Sequence, residues 1–105
     1  MASLVQNRGM TLDELRQTRK SQILTLAEAY GAHNVRVFGS LARGDSGENS
    51  DVDLLVDLDP DRSLMDLGGL LMGLQELLGR SVDVATEKML RPHVRERALA
   101  EAVPL

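Results

Sequence analysis

The residues best suited to chemistry lie between Gly39 and Asp53. A Gly39-Ser40 pair is followed, after residues 41–50, by Asp51-Val52-Asp53. Apolar runs flank this stretch, Val35-Arg36-Val37-Phe38 before it and Leu54-Leu55-Val56 after it, and both read as strands. Side chains alternate along a strand with a period of two, so Asp51 and Asp53 share a face. Two carboxylates close together on one face can hold divalent cations through oxygen. A Gly-Ser turn can open a helix, and free N–H groups at a helix start favour phosphate. Cation ligands and a phosphate cradle, joined by a polar loop, are the parts of a nucleotide site.

The charge pattern points the same way. From Gly44 to Asp61 the acids are Asp45, Glu48, Asp51, Asp53, Asp57, Asp59 and Asp61, with no base among them. A solvated acidic edge is the plain reading of such a run. The alternation argues for more, because Asp51, Asp53 and Asp57 fall on one strand face and Val52, Leu54, Val56 and Leu58 on the other. The apolar face belongs to a core. Carboxylates crowded on the opposite face repel one another unless a cation relieves them.

The elements that must position these residues follow from local pattern. Residues 1–10 show no periodicity and read as a flexible tail, with one domain over 11–105. Thr11-Leu-Asp-Glu14 reads as a capping box that starts a helix running to about Tyr30, with Gly31 as its C-cap. Arg16, Arg19 and Lys20 read as its solvated side. Strands are expected over about 34–38, 51–58 and 81–85, with a helical turn at Ser40–Arg43 and a loop at Gly44–Ser50. Ser63 caps a second long helix that ends near Leu78 and Gly79. Leu64, Met65, Leu67, Leu70, Leu71, Met72, Leu74, Leu77 and Leu78 make that helix apolar nearly all round, so it is either buried or shared with a partner. Gly68, Gly69 and Gly73 permit close backbone approach. Thr86 opens a short turn, Pro92 starts the last helix, Ala98 and Leu99 face inward, and Pro104 stops the chain. A short link suits antiparallel pairing of the first two strands, and a helical crossover suits parallel pairing of the second and third.

Composition narrows the function. The chain has 105 residues, a formal charge of −4, one Tyr, one Phe, no Trp and no Cys. Few aromatics and net acidity argue against a general nucleic-acid binder. The absence of cysteine excludes disulfides and thiolate metal sites and fits a reducing compartment. No apolar run can span a bilayer, and the expected location is the cytoplasm. His33 and His93 have no partner at ligand spacing and read as surface residues. Lys88, Arg91, Arg95 and Arg97 read as a solvated helix face or a contact for an acidic partner or nucleotide.

The stretch resembles the signature of the DNA polymerase beta-like nucleotidyltransferase superfamily, through Gly39, Ser40, Arg43, Gly44, Ser50, Asp51 and Asp53. Within it, the chain is similar to the minimal nucleotidyltransferase (MNT) family, the antitoxins of HEPN/MNT toxin–antitoxin pairs. The ending Arg95-Glu-Arg-Ala-Leu-Ala-Glu-Ala-Val-Pro-Leu105 also looks like that family's, and the resemblance runs from about Thr11 onward. It implies an α/β fold with a three-stranded mixed sheet in order 1-2-3, helices on one face and the acidic face open. It implies Asp83 as a third carboxylate beside Asp51 and Asp53, all three catalytic and all three ligands for Mg²⁺, with Mn²⁺ as a substitute. Gly39, Ser40, Arg43 and Gly44 would bind the nucleotide, with Ser50 steadying the loop. The implied reaction is transfer of AMP from ATP to a tyrosine of a partner HEPN ribonuclease, which inactivates it. The chain as read is too short to carry the accessory domain of larger nucleotidyltransferases, so a partner is expected to supply the acceptor, and helix 64–78 is the expected homodimer or heteromer surface. Two rival readings are an antitoxin that acts by binding alone and a stand-alone enzyme acting on small molecules such as aminoglycosides.

Overall fold

The computed structural model describes residues 10–47 and 50–105. The tail expected over residues 1–10 lies outside the described residues except for Met10, which packs against the core. Helix α1 (Leu12–Thr18) begins with the expected capping box: Thr11 Oγ1 accepts from the Glu14 N–H at 3.1 Å, and Glu14 Oε1 accepts from the Thr11 N–H at 3.0 Å. The single helix expected to reach Tyr30 is instead two. At Arg19 the backbone leaves the helical region (φ −130°, ψ −6°), and α2 runs over Lys20–Ala29. In an unbroken helix Leu15 and Ala27 would point about 120° apart. The break lets Leu15, Ile23 and Ala27 all enter the core.

Strand β1 (Ala32–Phe38) pairs antiparallel with β2 (Val52–Leu58). The register shifts between His33 and Arg36, where Asn34 takes a positive φ of 51°. After β2, Ser63 and Asp66 form a second capping box that starts α4 (Leu64–Leu78). This helix carries the chain across to β3 (Val82–Ala85), parallel to β2. The core gathers Val35, Val37, Val52, Leu54, Val56, Val82 and Val84 from the sheet with Leu15, Ile23, Leu67, Leu70 and Leu74 from the helices. Each large aliphatic side chain buried this way contributes about 1.5–3 kcal/mol.

The sheet has four strands in the order β3-β2-β1-β4, not the expected three. Strand β4 is Val103–Pro104, paired antiparallel to Val37 and Arg36. Two residues are too short to show a period of two, so the sequence pattern could not reveal them. Pro104 therefore extends the sheet at its edge, where a missing N–H is tolerated. Leu105 is buried in the core and its N–H donates to the Val35 carbonyl at 3.1 Å. Arg16, expected in solvent, donates to the carbonyl oxygens of Pro104 (2.6 Å) and Leu105 (3.2 Å).

The acidic face is only half open, which corrects the expectation of helices on one face alone. Leu55 points the same way as Asp53 and Asp57, yet it is fully buried. Its cross-strand neighbours are Arg36 and Ala85. Arg36 reaches Glu87 at 3.6 Å, so the 3-10 turn Glu87–Met89 stands over this end of the sheet. Arg95 of α5 (Pro92–Glu101) ties the helix to that turn by donating to the Glu87 and Leu90 carbonyls. Ala98 is buried apart from the main core, whereas Leu99, expected inside, is exposed. A small side chain lets α5 lie close, and Leu99 falls on the next face of the helix.

Helix α4 does not bury its whole circumference. Leu67, Leu70 and Leu74 face the core. A methyl group on Gly69 would meet the Tyr30 ring and one on Gly73 would press on Leu26, so these two glycines bring α4 against α2; Gly68 has no such neighbour. On the outer side Leu64, Met65 and Met72 are exposed, Met65 by 86%. Among the described residues no helix is long and apolar enough to cross a membrane.

Candidate functional site

The open end of the acidic face is built around Asp53. In the parallel register Asp53 sits directly beside Asp83, and across β1 it sits beside Phe38. Asp51 lies just before β2 and is exposed, as is Asp83. Asp53 itself is half-buried. Its carboxyl is pushed up to about 6, first by desolvation and then by the charges of Asp83 and Asp51, with Arg43 pulling the other way. Asp53 thus feels both Asp83 and Asp51 along one edge.

Gly39 makes room for this carboxylate. It has a positive φ of 73°, and a Cβ placed on it would overlap Asp53 Oδ2. It opens α3 (Gly39–Arg43), whose buried Leu41 anchors the turn to the core. Gly44 closes the helix in the left-handed region (φ 82°) with its N–H donating to the Leu41 and Ser40 carbonyls. The Ser40 hydroxyl makes no hydrogen bond among the described residues. Ser50 Oγ accepts from the Gly47 N–H at 2.7 Å and so braces the loop before Asp51.

Arg43 is not free. Its Nε donates to Asp45 Oδ2 at 3.2 Å, and its Nη1 lies 3.2 and 3.1 Å from Glu101 Oε1 and Oε2. Asp45, and then Glu101, raise the guanidinium above its ordinary value. No spacing rule pairs residues this far apart in the chain, so sequence reasoning missed Glu101. It also missed that Asp57 is spent on Arg36 (2.8 Å) and Asn34 (3.0 Å) and so stands apart from the site. His33 pairs with Asp59 at 2.9 Å on the surface, and His93 is exposed on α5.

The donor set suits a hard divalent cation, because it is all carboxylate oxygen. Among the described residues no three His, Cys, Asp or Glu side chains stand close enough together to hold a metal ion by themselves. Mg²⁺ usually completes its shell with water and phosphate oxygens, so an open set of carboxylates fits it. Millimolar Mg²⁺ or Mn²⁺ with nucleotide should raise the melting temperature of the wild type at pH 7.5. At pH 5, below the raised value of Asp53, a cation must displace a proton, so the shift should shrink. Asp51→Asn/Asp53→Asn should show little shift at either pH, and an equal shift in both proteins would remove the cation from this edge.

The nucleotidyltransferase domain family model matches residues 19–105, which spans every one of these site residues. The chain belongs to the nucleotidyltransferase domain family. MJ0435 of Methanocaldococcus jannaschii, named provisionally as a protein adenylyltransferase, is 39% identical over 84 residues, covering 80% of this chain and 90% of that protein. The protein adenylyltransferase MntA of Thermococcus cleftensis is 35% identical over 94 residues, 90% of this chain and 95% of its own. A solved structure described provisionally as a minimal nucleotidyltransferase shares 47% identity at a TM-score of 0.79, covering 91% of this chain and 97% of that one. A crystal structure of a toxin–antitoxin with AMP-PNP shares the fold at a TM-score of 0.70 and 18% identity, with 82% and 71% covered. In this nucleotidyltransferase the sheet places Asp53 against Asp83, and the glycine that opens α3 leaves their edge accessible.

Proposed function

We propose that this nucleotidyltransferase transfers AMP from ATP to a tyrosine hydroxyl of a partner HEPN ribonuclease and so acts as its antitoxin. The observation that carries the reading is the adjacency of Asp53 and Asp83 over the bare Cα of Gly39. Relatives named as protein adenylyltransferases support the reaction, and the structural neighbour with AMP-PNP, an ATP analogue in a toxin–antitoxin, supports the nucleotide and the partner. Asp51, Asp53 and Asp83 would hold Mg²⁺, which when bound activates the acceptor oxygen and neutralises charge on the triphosphate. The N–H groups that open α3, with the Ser40 hydroxyl, take the outer phosphates. Arg43 offers Nη2, which makes no hydrogen bond among the described residues, to a phosphate oxygen. The acceptor hydroxyl oxygen bonds to the α-phosphorus, the bond to the β-phosphate oxygen breaks, and pyrophosphate leaves. Asp83, exposed at the edge, receives the hydroxyl proton.

The test is intact-mass spectrometry of the partner HEPN ribonuclease after incubation with this protein, ATP and Mg²⁺. The expected result is a gain of whole AMP units on a tyrosine. An unmodified ribonuclease that is nevertheless silenced would favour neutralisation by binding alone. The exposed Leu64, Met65 and Met72 are the proposed partner surface, because a patch of this kind marks an interface. Met65→Asp/Met72→Asp should leave the melting temperature unchanged and weaken association at least tenfold in sedimentation. Unaltered association would move the interface elsewhere.

A further inference from the structure

We propose that Glu101 is a positioning residue for nucleotide binding, holding Arg43 in the orientation that presents its free edge to the triphosphate. The inference rests on the nucleotidyl-transfer reading of the site. An arginine side chain on a short surface helix has many rotamers, and ordering it on binding opposes affinity. Here two acids order it beforehand. Asp45 takes Nε from within the same loop, and Glu101 takes Nη1 from the end of α5. Among the described residues Nη2 makes no hydrogen bond.

Glu101 is the stiffer of the two partners. Its side chain is 20% exposed, against 60% for Asp45. It is the last residue of α5, which leads directly into β4. Strand β4 pairs with Arg36 and Val37, just before the Phe38-Gly39 corner, and Arg16 grips the Pro104 and Leu105 carbonyls. The carboxylate is therefore fixed to the same strand that carries the phosphate turn. Glu101 occupies Nη1 alone, so a phosphate can bind Nη2 without displacing it. Glu101 thus orders the arginine without competing for it.

The experiment compares wild type, Glu101→Gln and Glu101→Ala, each with Arg43 intact and with Arg43→Ala, by calorimetric titration of ATP with Mg²⁺. Glu101→Ala should weaken binding about three- to tenfold, the loss expected for an arginine that must now be ordered on binding. Glu101→Gln keeps an oxygen acceptor for Nη1 and should fall between. Neither change should matter once Arg43 is Ala, because Glu101 acts only through it. Melting curves separate this from unfolding, and Glu101→Gln preserves shape should Glu101→Ala fail to fold. Side-chain NMR of the Arg43 Nη1–H group, the one Glu101 accepts from, gives a second readout, with a sharp, slowly exchanging signal in wild type and a broadened one in Glu101→Ala. Equal or tighter ATP binding by Glu101→Ala, or a loss that persists without Arg43, would overturn the proposal. A wild type that binds no ATP would instead sink the nucleotidyl-transfer reading, while the Nη1–H signal still decides whether Glu101 orders Arg43.

Discussion

Asp53→Asn should lower AMP transfer by about a thousandfold or more while making the metal-free protein more stable. The activity loss follows from removing a carboxylate at the point where charge on the transferring group must be stabilised, which typically costs several kcal/mol of barrier. The stability gain follows from linkage. The folded carboxyl titrates near 6, above its ordinary value, so the native state holds its proton more tightly than the unfolded chain. That contribution is fully present below the unfolded value near 4, and it is lost as the pH rises through 6. At pH 7.5 the ionised carboxylate therefore opposes folding, and asparagine removes the cost. Two pH units correspond to about 3 kcal/mol, and solvent screening of a half-open site reduces this to about 1–2 kcal/mol. For a domain of this size the gain is on the order of 5–10 °C in Tm. The two readouts are label transfer with excess ATP and Mg²⁺, and melting at pH 7.5 and pH 4.5 without metal. The Tm advantage should shrink at pH 4.5 to about a third of its size at pH 7.5. A mutant that keeps half its activity, or one less stable than wild type at both pH values, contradicts this account of Asp53.

Gly39→Ala should be nearly as damaging to activity and should also cost stability. Its φ of 73° strains any residue with a Cβ by about 1–2 kcal/mol, and the added methyl collides with Asp53 Oδ2. Asp53 must then move by a large fraction of an ångström, and displacement of a reacting group by about 1 Å costs about a hundredfold. Gly44→Ala separates the two effects, because Gly44 has a similar φ of 82° and nothing within 4 Å of its missing Cβ. It should lose comparable stability with a much smaller loss of transfer. Comparable activity losses in both variants would mean that backbone strain, not the collision with Asp53, governs the site.

Much of this arrangement was already legible in the chain. The period of two placed Asp51, Asp53 and Asp57 on one face and Val52, Leu54 and Val56 on the other. The Thr11 and Ser63 caps were readable because a cap involves residues three apart. The Gly39-Ser40 and Asp51-X-Asp53 spacing carried the family, and the family model agrees. Other features depended on pairings that local pattern does not record. The break at Arg19 arises because Leu15 and Ala27 must enter the same core. Strand β4 exists because Leu105 fills that core and Arg16 caps the carbonyls beside it. Leu55 is buried on the acidic side, where its cross-strand neighbour Arg36 reaches the 3-10 turn at Glu87.

By itself the sequence determined the local conformations, the acidic face and the chemistry it could support, since these depend on neighbours within a turn or a strand period. Tertiary structure alone decided that Asp83 stands in register with Asp53, that Gly39 lies beneath its carboxylate, and that Arg43 is shared between Asp45 and Glu101. These are contacts between distant segments, and their geometry follows from how α4 and α5 pack rather than from any spacing along the chain.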